Sequence, residues 1–130
     1  MIQGIGTDII EIERIRKAVE RYGHRFLNRI YTHREQEYCL AHRDSAPRLA
    51  GRFAAKEAVL KAIGTGLRTE ISWLDIEIIN NHDGKPEVVL SDHLKELLSF
   101  DQNSSIEISI SHCHAYATAF AIRSTQNERN

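Results

Sequence analysis

One helix constrains the fold of this 130-residue chain more than any other segment. Pro47 suits a first helical turn and Gly64 suits the position after a last turn, so the sequence predicts a helix over residues 47–63. Apolar residues and alanines cover nearly the whole surface of this helix, which is typical of a buried helix rather than an amphipathic one. The chain is long enough for one core, and we expect that core to form around this helix.

Shorter segments complete the chain. Their apolar patterns predict a first strand within residues 2–10 that ends near Asp8, and further strands over residues 73–79, 87–90, 105–111 and 116–122. Helices are predicted over residues 12–22, 24–30, 33–42 and 91–100. The fold class is therefore α+β, with a mostly antiparallel sheet packed on the long buried helix. We expect a single domain over residues 1–123 and a polar, disordered tail over residues 124–130.

The composition excludes several classes of protein. The N-terminus lacks the features of a signal peptide and no stretch is apolar enough to cross a bilayer, so we expect a soluble, cytoplasmic protein with no membrane partner. Cys39 and Cys113 have no disulfide or metal-site spacing, and the histidines form no zinc motif. The net charge of −1 argues against nucleic-acid binding, although an excess of bases in residues 1–68 leaves room for a phosphate site or an acidic partner.

Four charged residues on the predicted long helix need partners if that helix is buried. Arg52 and Lys56 are like charges four residues apart, whereas Glu57 and Lys61 are opposite charges at the same spacing. One interpretation is a helix salt bridge plus two bases that extend their charged ends to water. The other is a site for phosphate and metal.

Asp8 and His112 each allow a functional and a purely structural interpretation. Asp8 shares a strand face with Gly4 and Gly6, which predicts free space for a hydrated ion beside its carboxylate. Alternatively, Asp8 caps the following helix in a capping box with Glu11. His112 ends a strand on the core side, where a histidine satisfied by core or edge contacts is the simpler alternative.

A basic stripe is predicted on the helix over residues 12–22. Arg14, Lys17 and Arg21 recur at helical spacing, and Arg25 continues them. The stripe is either a solvated face or a docking surface for an acidic helix.

Three segments together resemble the holo-acyl-carrier-protein synthases, a family of small 4′-phosphopantetheinyl transferases. The segments are Gly4-Ile5-Gly6-Thr7-Asp8-Ile9, then Arg52-Phe53-Ala54-Ala55-Lys56-Glu57-Ala58 with Lys61-Ala62-Ile63-Gly64-Thr65-Gly66, and finally Ser109-Ile110-Ser111-His112 with Tyr116-Ala117. Their order and spacing span most of the chain.

The resemblance implies a homotrimer with active sites between subunits. Such a protein transfers 4′-phosphopantetheine from coenzyme A to a serine of apo acyl carrier protein, releases 3′,5′-ADP and thereby enables fatty acid biosynthesis. Asp8 and Glu57 would be the Mg²⁺ ligands and, with Lys61, the catalytic residues, since Mg²⁺ prefers a few carboxylates, phosphate oxygens and waters.

The resemblance also assigns the substrate contacts. Lys61 would face the pyrophosphate, Arg52 and His112 the 3′-phosphate, with His112 supplied by a neighbouring subunit. Gly64 and Thr65 would shape the adenine pocket. The residues that would dock acyl carrier protein are those of the basic stripe, namely Arg14, Lys17, Arg21 and Arg25.

Some points stay open in the sequence. A metal-bound water or Glu57 would take the serine proton. Asp44 stands where bases are common in the family, and Cys113 where a small hydroxyl residue often occurs, so details of 3′-phosphate binding are left undecided. The alternative functions are a Mg²⁺-dependent nucleotide phosphoesterase and a non-catalytic module that binds coenzyme A or a carrier protein.

Overall fold

The computed structural model describes residues 1–64 and 70–126. The elements in chain order are β1 (Ile2–Glu11), α1 (Ile12–Tyr22), α2 (His24–Ile30), α3 (His33–Leu40), α4 (Ala46–Ile63), a 3₁₀ helix (Trp73–Asp75), β2 (Ile76–Asn80), β3 (Pro86–Leu90), α5 (Asp92–Leu98), β4 (Ser104–His112) and β5 (Tyr116–Thr125). The strands form a three-stranded sheet of order β1-β5-β4 and a separate hairpin of β2 and β3, and each pairing is antiparallel. The predicted α+β class is confirmed, with two sheets instead of one.

The backbone of α4 lies directly on the three-stranded sheet. A Cβ atom placed on Gly4 would lie 1.9 Å from the carbonyl oxygen of Ala62, and one placed on Gly6 would lie 1.9 Å from that of Ala58. The two glycines therefore allow a close approach of helix and strand. The sequence had predicted free space for a hydrated ion at these glycines, and that prediction was wrong because the helix backbone fills the space.

The exposed surface of α4 is a narrow strip. Beyond its first turn, the side chains that retain exposure are Phe53, Glu57 and Lys61, and the other residues of α4 are buried. The spacing of four residues places these three on one face of the helix. In residues 1–64 and 70–126, neither α4 nor any other helix combines the length and apolar character needed to span a membrane.

A buried ion pair fixes α4 to the rest of the core. Lys56 Nζ lies 2.7 Å from Glu35 Oε1, and both side chains are inaccessible to solvent. The same ammonium group donates to the carbonyl oxygens of Ile30 and Trp73. Burial lowers the pKa of Lys56, and the Glu35 carboxylate opposes this effect. Lys56 thus finds its anion within the protein, and its role is structural.

Several element boundaries differ from those predicted. β1 continues past Asp8 to Glu11, and Asp8 pairs with Ala119 of β5. The helix α1 begins without a side-chain cap, so the alternative of Asp8 as a capping residue is wrong. The 3₁₀ helix replaces the start of the strand predicted over residues 73–79. β5 continues to Thr125, so the first residues assigned to the tail belong to the sheet.

Candidate active site

The strip on α4 meets β1 at Asp8. Lys61 Nζ lies 3.2 Å from Asp8 Oδ1 and donates a hydrogen bond to the carbonyl oxygen of Thr7 at 2.9 Å. Glu57 lies one helical turn before Lys61, and its pKa is raised by burial and by the negative charge of Asp8. The structure therefore brings together the three residues that the sequence assigned to catalysis.

The two carboxylates suit a hard divalent cation. The raised pKa of Glu57 has burial as its largest cause and the Asp8 charge as the next, while Lys61 lowers it only in part. A cation between Asp8 and Glu57 would remove this repulsion. Over the described part of the chain, no three His, Cys, Asp or Glu side chains lie close enough to hold a metal together. The pair would thus need oxygens from substrate and water, as Mg²⁺ commonly does.

Arg52 and His112 form a second cluster. Both line a cavity of about 280 Å³, together with Arg48 and Asn80. Arg52 is buried, donates a hydrogen bond to Asn80 Oδ1 at 3.0 Å and stacks its guanidinium 4.4 Å from the centre of the Tyr38 ring. Its Nε atom is buried without a partner among the described residues. The cavity therefore offers the guanidinium group of Arg52, which Asn80 and Tyr38 hold in place, and no carboxylate of the described residues forms an ion pair with Arg48 or Arg52.

The two clusters lie at opposite edges of the three-stranded sheet. Asp8 is on β1, one edge strand, and His112 is at the end of β4, the other edge strand. Two interstrand spacings separate these strands, which corresponds to about 10 Å. Arg52 precedes Lys61 by nine residues of α4, a separation of about 13 Å along the helix axis. The chain therefore presents the two clusters as separate surfaces.

The basic stripe is divided between two helices. Arg14, Lys17 and Arg21 are exposed on α1, whereas Arg25 is exposed on α2, beyond Gly23. Gly23 has a φ of 55° and ends α1, so the prediction that all four bases lie on one helical face is wrong for Arg25. Within the described ranges, none of the four bases forms an ion pair with a carboxylate. The charge of the stripe is therefore available to a partner.

Gly64 ends α4 as predicted, with a left-handed φ of 89°, and its amide donates to the carbonyl oxygen of Leu60. Thr65, which the sequence assigned to the adenine pocket with Gly64, lies outside the described residues.

Comparisons with known proteins place the chain in a family. A model of the 4′-phosphopantetheinyl transferase superfamily matches residues 4–121. The chain belongs to this superfamily. It is 57% identical over 125 residues to a holo-[acyl-carrier-protein] synthase of Protochlamydia amoebophila, which covers 96% of this chain and 100% of the relative.

Solved structures of holo-[acyl-carrier-protein] synthases agree with this assignment. The enzyme of Neisseria meningitidis superimposes with a TM-score of 0.87 at 36% identity, covering 96% of this chain and 100% of the other. The enzyme of Helicobacter pylori, solved in complex with coenzyme A, gives a TM-score of 0.83 at 36% identity and covers 92% and 99% of the two chains.

Three residues of the second cluster of this transferase were missed from the sequence. Tyr38 on α3 and Asn80 on β2 contact the Arg52 side chain, and Arg48 on α4 lines the same cavity. Their spacing follows no motif, because three different elements bring them together. The only signal in the sequence was the position of Arg52 on a helix predicted to be buried, since a buried arginine requires polar or aromatic neighbours.

Proposed function

We propose that this protein transfers the 4′-phosphopantetheine group of coenzyme A to a serine of apo acyl carrier protein, releases 3′,5′-ADP and thereby enables fatty acid biosynthesis. The observation that carries the proposal is the meeting of Asp8, Glu57 and Lys61 where the exposed strip of α4 contacts β1. Relatives of high identity are named holo-[acyl-carrier-protein] synthase, and one solved neighbour contains coenzyme A.

Each side chain of this group has a role that its position supports. Asp8 and Glu57 hold Mg²⁺, which supplies charge stabilisation for phosphoryl transfer when it is bound. Lys61 Nζ is half-exposed beside Asp8, where it can turn to the oxygen that leaves with 3′,5′-ADP. The serine oxygen forms a bond to the β-phosphorus, the bond from that phosphorus to the nucleotide breaks, and the serine proton leaves. Glu57 or a water beside it would accept this proton.

The cavity lined by Arg48, Arg52 and His112 receives the 3′-phosphate of coenzyme A. Its cationic side chains match a phosphate group, and Arg52 is already held by Asn80 and Tyr38. This cavity and the carboxylate pair lie at opposite sheet edges, so two subunits complete each site. His112 and Arg52 of one subunit bind the 3′-phosphate of the same coenzyme A whose pyrophosphate lies at Asp8 and Glu57 of the next subunit.

The outer face of the three-stranded sheet is suited to form the subunit interface of a homotrimer. The face turned away from α4 exposes Ile5, Ile9, Tyr116 and Phe120, which are between 42% and 65% accessible. A contiguous apolar surface of this kind is typical of an interface. A head-to-tail contact between the β1 edge of one subunit and the β4 edge of the next closes into a ring. We place the protein in the cytoplasm, where its substrates occur.

Mass spectrometry of apo acyl carrier protein tests the reaction. Incubation with this protein, coenzyme A and Mg²⁺ should add one phosphopantetheine to the carrier, and EDTA should prevent the addition. Asp8→Ala and Glu57→Ala should each abolish the addition and retain the native assembly, because each removes a metal ligand rather than a core contact. Release of free phosphopantetheine with an unmodified carrier would instead identify a phosphoesterase, and binding without turnover would identify a docking module.

Mixed assemblies test the composite site. Lys61→Ala and His112→Ala subunits should each be inactive alone, because each lacks one half of every site. When the two variants are mixed and reassembled, sites with two intact halves form and activity should partly return. Mixed trimers that form, as shown by native mass spectrometry, but remain inactive would place Lys61 and His112 in the same subunit's site.

A further inference from the structure

A bidentate ion pair joins α1 to the turn that precedes α4. Arg16 Nη1 lies 2.6 Å from Asp44 Oδ1, and Nη2 donates to Asp44 Oδ2 at 3.3 Å. The Nε atom of Arg16 donates to Glu13 within α1 at 3.1 Å. The hydrogen bonds from Arg16 are the main reason that the pKa of Asp44 is lowered, so this carboxylate is held in its ionised form. The guanidinium group of Arg16 is thus paired with two carboxylates.

Asp44 lies in the turn just before α4, whose residues Pro47 and Arg48 line the cavity that also contains Arg52 and His112. Its Oδ1 atom also accepts a long hydrogen bond, 3.4 Å, from the amide of Ala46, the first residue of α4. Arg48, which lines the cavity, follows Asp44 by four residues and lies in the first turn of α4. The N-terminus of α4 and the bases of its first turn favour a phosphate group in the cavity. An Asp44 carboxylate without a counter-charge would repel that phosphate.

We propose that Arg16 is a positioning residue for the nucleotide phosphate, although it lies on the helix that carries the basic stripe. Arg16 neutralises Asp44 and holds its carboxylate against α1, so that Arg48, Arg52 and His112 retain their attraction for a phosphate group. The inference rests on the proposed function, in which this cavity holds the 3′-phosphate of coenzyme A. It adds a residue of α1 to the determinants of coenzyme A affinity.

The experiment is calorimetric titration of coenzyme A and of dephospho-coenzyme A, which lacks the 3′-phosphate, into protein with Mg²⁺ at low ionic strength. Arg16→Gln should weaken coenzyme A about two- to fivefold, because an unneutralised unit charge near the cavity acts through a solvent-like dielectric. The affinity for dephospho-coenzyme A should stay unchanged. Added salt should reduce the difference, because screening weakens exposed charges.

Two further variants separate charge from structure. Asp44→Asn in the Arg16→Gln background should restore coenzyme A binding to within about twofold of wild type, because the unneutralised charge is gone. Glu13→Gln is the matched control, since it removes the other partner of Arg16 and leaves the pair with Asp44 intact. It should leave the affinity for coenzyme A unchanged.

Three results would overturn the inference. Equal weakening of both ligands by Arg16→Gln would assign Arg16 to the fold, and no weakening would make the ion pair inert. Failure of Asp44→Asn to restore binding would exclude charge as the cause. Equal affinity of the wild-type protein for both ligands would show that the cavity does not hold the 3′-phosphate, and this outcome also overturns the inference. Transfer of phosphopantetheine to the carrier is tested separately by mass spectrometry.

Discussion

The buried ion pair between Lys56 and Glu35 allows one stability prediction to be worked out in detail. Lys56→Met keeps the length and apolar stem of the side chain but removes the ammonium group that Glu35 meets at 2.7 Å. Glu35 keeps hydrogen bonds from the amides of Thr32 and Ile78, at 2.8 and 2.7 Å, yet its charge stays buried without a counter-ion. Breaking a buried pair in this way costs about 3–5 kcal/mol.

This loss converts into a large change in melting temperature. With an unfolding entropy of about 2.1 cal/mol/K per residue, 1 kcal/mol corresponds to about 3.7 °C in a chain of 130 residues, so we expect a decrease of about 11–18 °C. Thermal unfolding followed by circular dichroism at one fixed protein concentration measures it, because assembly makes the midpoint concentration-dependent.

The double variant Glu35→Gln with Lys56→Met is the matched control. It removes both charges and should be more stable than Lys56→Met alone, because no unpaired charge is buried. If Lys56→Met unfolds within about 1 kcal/mol of wild type, the pair is not an anchor of α4 and the reasoning fails.

Three shorter predictions follow from other contacts. Gly6→Ala should destabilise the protein by about 3 kcal/mol or more in urea unfolding, because the new methyl group would overlap the carbonyl oxygen of Ala58; a near-native midpoint would contradict this close approach. Glu77→Gln should lower the free energy of unfolding at pH 7, because the hydrogen bond from Arg34 holds the pKa of Glu77 below its ordinary value of 4.5. The difference from wild type should disappear as the pH falls from 4.5 through that lowered pKa, and a difference independent of pH would refute the reasoning. Arg14→Glu should raise the KM for acyl carrier protein several-fold in steady-state kinetics while the KM for coenzyme A is nearly unchanged, and salt should reduce the effect; equal changes for both substrates would move Arg14 out of the docking surface.

Local signals predicted the fold better than long-range ones. Pro47 and Gly64 placed α4 within one residue of its observed bounds, because helix ends depend on neighbouring residues. The end of β1 was placed at Asp8 and lies at Glu11, because its last residues are held by pairing with β5, more than a hundred residues away. Ser72 and Asp75 form the capping box of the 3₁₀ helix, a signal that the strand prediction overlooked.

The candidate site could be predicted only in part for the same reason. Asp8, Glu57 and Lys61 were identified through the resemblance to a family. Helical spacing places Glu57 beside Lys61, but no local pattern brings Asp8 on β1 to either of them. Glu35 and Lys56 were not paired from the sequence, since they lie on different helices and match no motif. The roles of the site residues stay predictions that the variants above test.

The narrow exposed strip of α4 limits how this protein can change during evolution. Beyond the first turn, Phe53, Glu57 and Lys61 are the residues of α4 that retain exposure. Glu57 and Lys61 carry the proposed chemistry, and Phe53 packs against the core and stacks on the Trp73 ring, so the helix has little room for variation. New substrate preferences should therefore arise in the surrounding segments, such as α1 and the turn before α4, while the helix itself keeps its sequence.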